Sequence, residues 1–103
     1  MIPMYVLMTY DVEAKRTEKF KKLMRRYLEH TQLSVFSGDL SEAKLTELRR
    51  FVSRLLQPGE IVTEVVAANR NNVKVAHYVR NESGKGEAGR IEANYHASDS
   101  RVI

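Results

Sequence analysis

The chain has 103 residues, no cysteine, and 17 Lys plus Arg against 13 Asp plus Glu, for a formal net charge of +4. That length predicts one domain with a modest core of its own, for which oligomerisation is a cheap source of extra burial. The absence of cysteine excludes a disulfide scaffold and a thiolate zinc site, and no run approaches the ~18 apolar residues of a membrane span. The first residues lack the basic and apolar regions of a secretory signal, so the expectation is a cytoplasmic protein with no membrane partner.

Residues 4 to 10, MYVLMTY, form a short apolar, β-branched and aromatic run that predicts a buried central strand, and Asp11 ends it. From 13 to 29 the period changes. Phe20, Leu23, Met24, Tyr27 and Leu28 recur at helical spacing, giving a helix with one apolar stripe that Asp11 is placed to cap. The other side of that helix is strongly basic: Lys15, Arg16, Lys19, Lys21, Lys22, Arg25 and Arg26 stand against Glu18 alone. Such a stripe is either an ordinary solvated face or a site for an anionic partner.

Residues 30 to 36 read as a strand and Ser37-Gly38-Asp39 as a turn, with Asp39 a second candidate helix cap. The segment 30–40 is short for two strands and a turn, so one bent strand and a tight hairpin both remain open. A second helix follows, capped by Ser41, carrying Leu45, Leu48, Phe51, Val52 and Leu55 near one face, and Gln57-Pro58-Gly59 stops it. Residues 61 to 67 and 73 to 79 read as two strands of a hairpin about the turn residues 69 to 72. The segment 81–89 is a glycine-containing loop, and 90–95 alternates, with Ile91, Ala93 and Tyr95 on one side of a late edge strand or of a strand laid on a second subunit.

This order favours an α+β ferredoxin-like sandwich, a mostly antiparallel sheet with two helices on one face, over a three-strand parallel α/β core. The expected division is a core domain over 1–80, then the loop, C-terminal strand and tail over 81–103.

The residues leave the role of Asp11 open. The end of a central strand is a rigid place for a carboxylate that binds metal. Yet one carboxylate is a poor magnesium site unless a two-fold partner brings its copy alongside. His30, His77 and His96 show no ligand spacing. Glu60 and Glu64 are read as edge or solvent-face acids, and Tyr27 and Phe36 as core.

The ordered pattern Tyr5-Val6-Leu7-Met8-Thr9-Tyr10-Asp11-Val12, Lys15-Arg16, Phe20, Leu23, Arg25-Arg26-Tyr27-Leu28 and Gln32-Leu33-Ser34-Val35-Phe36-Ser37-Gly38-Asp39-Leu40 resembles that of CRISPR-associated protein 2, the small ferredoxin-fold subunit of the spacer-acquisition machinery. The resemblance covers roughly residues 4 to 80 and extends into the second helix at Glu42-Ala43 and Leu45. It implies a homodimer whose first-strand aspartates face each other, and a magnesium- or manganese-dependent endonuclease acting on single-stranded RNA or double-stranded DNA. Asp11 is then the metal-binding catalytic residue, with Tyr10, Arg16 and Phe36 beside it. The resemblance also implies an adaptor role, bridging integrase subunits on a prespacer DNA duplex. For that role Lys19, Lys22, Arg25, Arg26 and His30, together with Arg16, are the expected nucleic-acid contacts. His30 stands where some relatives carry arginine, and Ser37 where glutamate is common. The alternatives are a toxin-like RNA interferase on the same fold and a purely structural adaptor with no catalytic activity.

Overall fold

The structure is a computed structural model describing residues 3–80, 83–84 and 88–93. Strand β1 (Met4–Asp11) runs into a 3-10 turn at Ala14–Arg16 and helix α1 (Thr17–Arg25). Then come β2 (Glu29–Gln32), β3 (Val35–Leu40), α2 (Glu42–Leu55) and β4 (Ile61–Ala67). A 3-10 turn at Arg70–Asn72 leads to β5 (Val75–Val79), which pairs with β6 (Gly89–Ala93) in a separate two-stranded sheet. The main sheet has the order β2-β3-β1-β4, and its pairings are all antiparallel. That is the ferredoxin-like α+β arrangement, and it displaces the parallel alternative.

Alternation along β1 divides the sheet into two faces. Val6, Met8 and Tyr10 point to the helices and join Phe20, Leu23 and Met24 of α1, Phe36 of β3, and Leu45, Leu48 and Val52 of α2 in one core. Tyr10 packs between Phe20 and Phe36, with ring centroids 5.6 and 6.0 Å away. Past the end of α1, Tyr27 donates its hydroxyl to Glu47 of α2 at 2.6 Å, which draws the Glu47 carboxyl below its ordinary range.

Several expectations need correction. Of the two alternatives for 30–40 the hairpin is the one formed, and its reversal is at Leu33-Ser34 rather than at Ser37-Gly38-Asp39. Leu33 is exposed there with φ +32°, a backbone conformation that side chains other than glycine rarely adopt. Gly38, expected in a turn, lies inside β3. A Cβ there would stand 3.4 Å from Leu28 Cδ2, so the glycine serves a close approach rather than a reversal. The helix expected over 13–29 is shorter, because the chain unwinds after Arg25 through Leu28 to enter β2.

Residues 73–79 do not pair with β4. The side chain of Arg70 reaches Asp39 of β3 at 2.9 Å and lies over the Tyr5 ring, so the turn after β4 is tied to the sheet and β5 finds its partner in β6. Asp39 is therefore an ion-pair partner and not a helix cap. Ser41 caps α2, accepting from the Lys44 amide at 3.2 Å. The expected Tyr95 and the tail after Ala93 lie outside the described residues.

Candidate functional site

The residues expected as catalytic or as nucleic-acid contacts are distributed by the fold over four places. Asp11 and Arg16 line a cleft of about 560 Å³ where β1 passes into α1, closed on its other side by Gln57, Pro58, Gly59 and Glu60. Lys19, Lys22 and Arg26 line a groove between α1 and α2. Arg25 and His30 line a shallow hollow beside β2. Tyr10 and Phe36 are in the core, Phe36 with no exposure at all.

Asp11 caps no helix, contrary to one expectation. The 3-10 turn has Glu13 at its N-cap and α1 has Arg16, and neither receives a side-chain cap bond. Asp11 is exposed, and its carboxylate has no ion-pair or hydrogen-bond partner among the described residues. Arg16 is the opposite case. Its Nε donates to Glu60 Oε2 at 2.6 Å, and its Nη2 donates to Glu60 Oε1 at 2.8 Å and to the Leu55 carbonyl at 2.9 Å. Glu60 also accepts from the Gln57 amide at 2.8 Å.

A bidentate pair of this kind stabilises both charges. The hydrogen bond from Arg16 holds the Glu60 carboxyl below its ordinary range, and the same bond raises the guanidinium above its own. Glu60, expected at an edge or on the solvent face, has a nearly enclosed side chain instead, and Arg16–Glu60 ties the end of β1 to the loop before β4. The helix-stopping Gln57-Pro58-Gly59 places the acid in a loop, but nothing in the sequence pairs it with Arg16. The pair sums to zero charge, and Glu13 meets Lys15 at 3.5 Å. Asp11 is left as the uncompensated charge of the cleft, so the cleft attracts a cation.

For a divalent metal the donor set is incomplete in one chain. Among the described residues no three His, Asp or Glu side chains converge. Magnesium nevertheless takes one or two protein carboxylates with waters and substrate phosphates. One chain therefore fits as half of such a site.

His30 is not free in solvent. Its ring stacks on Phe36 with centroids 4.5 Å apart, and its Nε2 meets the Leu33 carbonyl, so it braces the hairpin turn. Tyr10 is nearly buried, and desolvation raises its hydroxyl above the ordinary range. Tyr10, next to Asp11 on the same strand, is held on the helix side by Phe20 and Phe36.

The helix-free face of the sheet is unevenly covered. Tyr5 is buried under Arg70, but towards Asp11 the cross-strand neighbours Leu7, Thr9, Val65, Thr63 and Ile61 have partial or full exposure. Val65 is 42% and Ile61 57% exposed, apolar surface that a single copy leaves in water.

The family model described as CRISPR associated protein Cas2 matches residues 4–81. A CRISPR-associated endoribonuclease Cas2 of Haloferax volcanii is 42% identical over 59 residues, covering 57% of this chain and 69% of the relative. One of the same name from Thermotoga maritima is 47% identical over 57 residues, covering 55% and 66% respectively. The matched segments thus span about two thirds of these relatives. Among solved structures, a Cas2 crystal structure superposes with a TM-score of 0.69 at 33% identity, over 79% of this chain and 92% of the other. A hypothetical protein from Thermus thermophilus superposes with a TM-score of 0.55 at 28% identity, over 88% and 99%.

Proposed function

With the chain belonging to the family of CRISPR associated protein Cas2 as premise, we propose that it is a homodimeric, metal-dependent endoribonuclease centred on Asp11. The observation that carries the reading is the position of Asp11. It is an unpaired carboxylate at the end of β1, on the same half-exposed face as Leu7, Ile61 and Val65. A second copy laid on this face across a two-fold axis covers the apolar residues and brings the second Asp11 beside the first. Two carboxylates with no nearby countercharge repel, and a shared divalent cation relieves that repulsion.

Magnesium or manganese, when bound, polarises a phosphoryl oxygen and lowers the pKa of a coordinated water. The protein's own contribution is placement. Asp11 provides the ligand, and the strand beneath it is fixed by Tyr10 on Phe36 and Phe20. Arg16 is a positioning residue, because its fork is occupied by Glu60 and the Leu55 carbonyl and so fixes the cleft wall. Of the two cations lining the cleft, Lys15 is the exposed one, paired only at the surface with Glu13, and so the one placed to meet a substrate phosphate.

The test is cleavage of a single-stranded RNA and a matched DNA duplex with magnesium, manganese or EDTA, comparing wild type with Asp11→Ala. The expected result is RNA cleavage lost with EDTA and reduced at least ~100-fold by the substitution, as for removal of one essential electrostatic group. Cleavage that survives Asp11→Ala overturns the assignment.

A second reading, the adaptor that bridges integrase subunits on duplex DNA, is favoured by one observation. Lys19, Lys22, Arg25 and Arg26 have no acidic partner among the described residues. It predicts salt-sensitive duplex binding and integrase association, both retained by Asp11→Ala.

A further inference from the structure

Among the described residues, cations with and without an acidic partner lie in different places. Lys15, Arg16, Lys21, Lys44, Arg49, Arg70 and Arg90 each meet a carboxylate within 3.8 Å. Lys19, Lys22 and Arg26 of the α1 segment and Arg54 of α2 meet none among the described residues, and all four line one groove of about 420 Å³. The floor of that groove is Leu23, Phe51 and Leu55. The Arg26 guanidinium lies 5.3 Å and that of Arg54 6.0 Å from the centroid of the Phe51 ring. Arg26 also lies 5.7 Å from the centroid of Tyr27. The aromatic ring orders two arginines while leaving their charge unneutralised.

We infer that this α1–α2 groove binds single-stranded nucleic acid, as the track along which the strand leaves the Asp11 cleft. The inference rests on the nuclease reading for its direction, and on the groove itself for its chemistry. Four unpaired cations around a concave apolar floor suit a ligand that shows phosphates and unpaired bases together. A duplex keeps its bases inside and offers a floor of Leu and Phe nothing to cover.

The groove adjoins the cleft. Arg16 of the cleft wall donates to the carbonyl of Leu55, and Leu55 lines the groove. That adjacency favours nucleic acid over an acidic protein segment. From Lys19 to Arg26 is seven residues, or ~10 Å at the helical rise, enough for roughly three stacked nucleotides at ~3.4 Å each. Neither Arg54 nor Phe51 stands out in the sequence as a nucleic-acid contact, because both read as ordinary residues of an amphipathic helix.

The experiment is fluorescence anisotropy of the full chain with three labelled probes: a single-stranded oligouridylate, an RNA duplex and a polyglutamate peptide. The proteins are wild type, Arg54→Ala, Phe51→Leu, Asp11→Ala and, as control, Lys74→Ala, an exposed lysine outside the groove. Circular dichroism confirms that each is folded. Removing one cation that meets a phosphate of a single strand weakens binding about 8-fold at ~50 mM salt and makes the salt slope shallower by about 0.7. Arg54→Ala is expected to show both changes with oligouridylate, and Phe51→Leu a weakening of about 5-fold or more, while Lys74→Ala changes neither affinity nor slope.

Affinity and slope unchanged in Arg54→Ala overturn the inference. So does tighter binding of the duplex or the peptide than of the single strand. The two readings fail separately. If wild type cleaves nothing but Arg54→Ala weakens binding, the groove stands without the nuclease. If cleavage depends on Asp11 while Arg54→Ala binds as wild type, the nuclease stands without the groove.

Discussion

The two faces of the main sheet differ in how completely one chain finishes them. On the helix side Val6, Met8, Tyr10 and Phe36 are buried under α1 and α2, and the aromatic rings at its centre touch one another. On the opposite side the same strands present Thr9, Asp11, Ile61 and Val65 with partial or full exposure, and the acid among them is unpaired. Period-two alternation makes both faces from one set of strands, so a single residue of β1 contributes to stability or to function according to its parity. Stability is concentrated where packing is complete, and the proposed chemistry where it is left open.

The sharpest way to break this division is on the sealed side. Phe36→Ala deletes a fully buried ring that packs on Tyr10 and His30 and is expected to cost about 3–5 kcal/mol, read by urea unfolding. A cost below ~1 kcal/mol would mean that the helix-side core is looser than its packing implies.

On the open side Val65→Asp should do the reverse. It is expected to weaken the dimer more than ~10-fold by sedimentation equilibrium, because each copy then places a carboxylate in an apolar contact. The monomer's secondary structure should persist, and the melting temperature should lose its dependence on protein concentration. A dimer unaffected by the substitution places the two-fold interface elsewhere.

Glu60→Gln tests the seam between the faces. The folded-state pKa of Glu60 is depressed by the bond from Arg16, so the pair's contribution is present above the ordinary carboxyl pKa of about 4.3 and lost as pH falls through the folded value. The variant is expected to melt lower than wild type at pH 7, with the gap closing towards pH 3. A gap that does not change with pH would assign the effect to packing rather than to charge. The smallest effect is expected at the turn. Leu33→Gly removes the side chain from a positive-φ position and should stabilise by up to ~1 kcal/mol by thermal melting.

The sequence was most readable where one periodicity ran unbroken. The bounds of β4 were legible as seven apolar-rich residues closed by turn chemistry, and α2 by the Ser41 cap and Pro58-Gly59 stop. It misled where composition pointed one way and tertiary contact another. Ser37-Gly38-Asp39 has the composition of a turn, but the glycine makes room for Leu28 and the acid answers Arg70. The partner of β5 was illegible, because pairing depends on where the Arg70 turn is anchored and not on the strand's own pattern.

For the candidate site, Asp11 was legible as the acid ending a buried strand, while the lock on Arg16 was not. Its partner Glu60 is 44 residues away, and no local spacing records such a contact. His30 likewise gave no sign of its stacking on Phe36, which requires the hairpin that the sequence left open.

The most direct measurement is RNA cleavage by mixed dimers. Wild type and Asp11→Ala are dissociated, combined at varying fractions and refolded together, and the rate is read at constant total protein with saturating magnesium. If the two Asp11 carboxylates form one site, the rate falls as the square of the wild-type fraction, to about a quarter at equal parts, by the statistics of two-fold pairing. A rate that falls in simple proportion to the wild-type fraction would mean that each subunit cleaves alone, and would contradict a site shared across the open face.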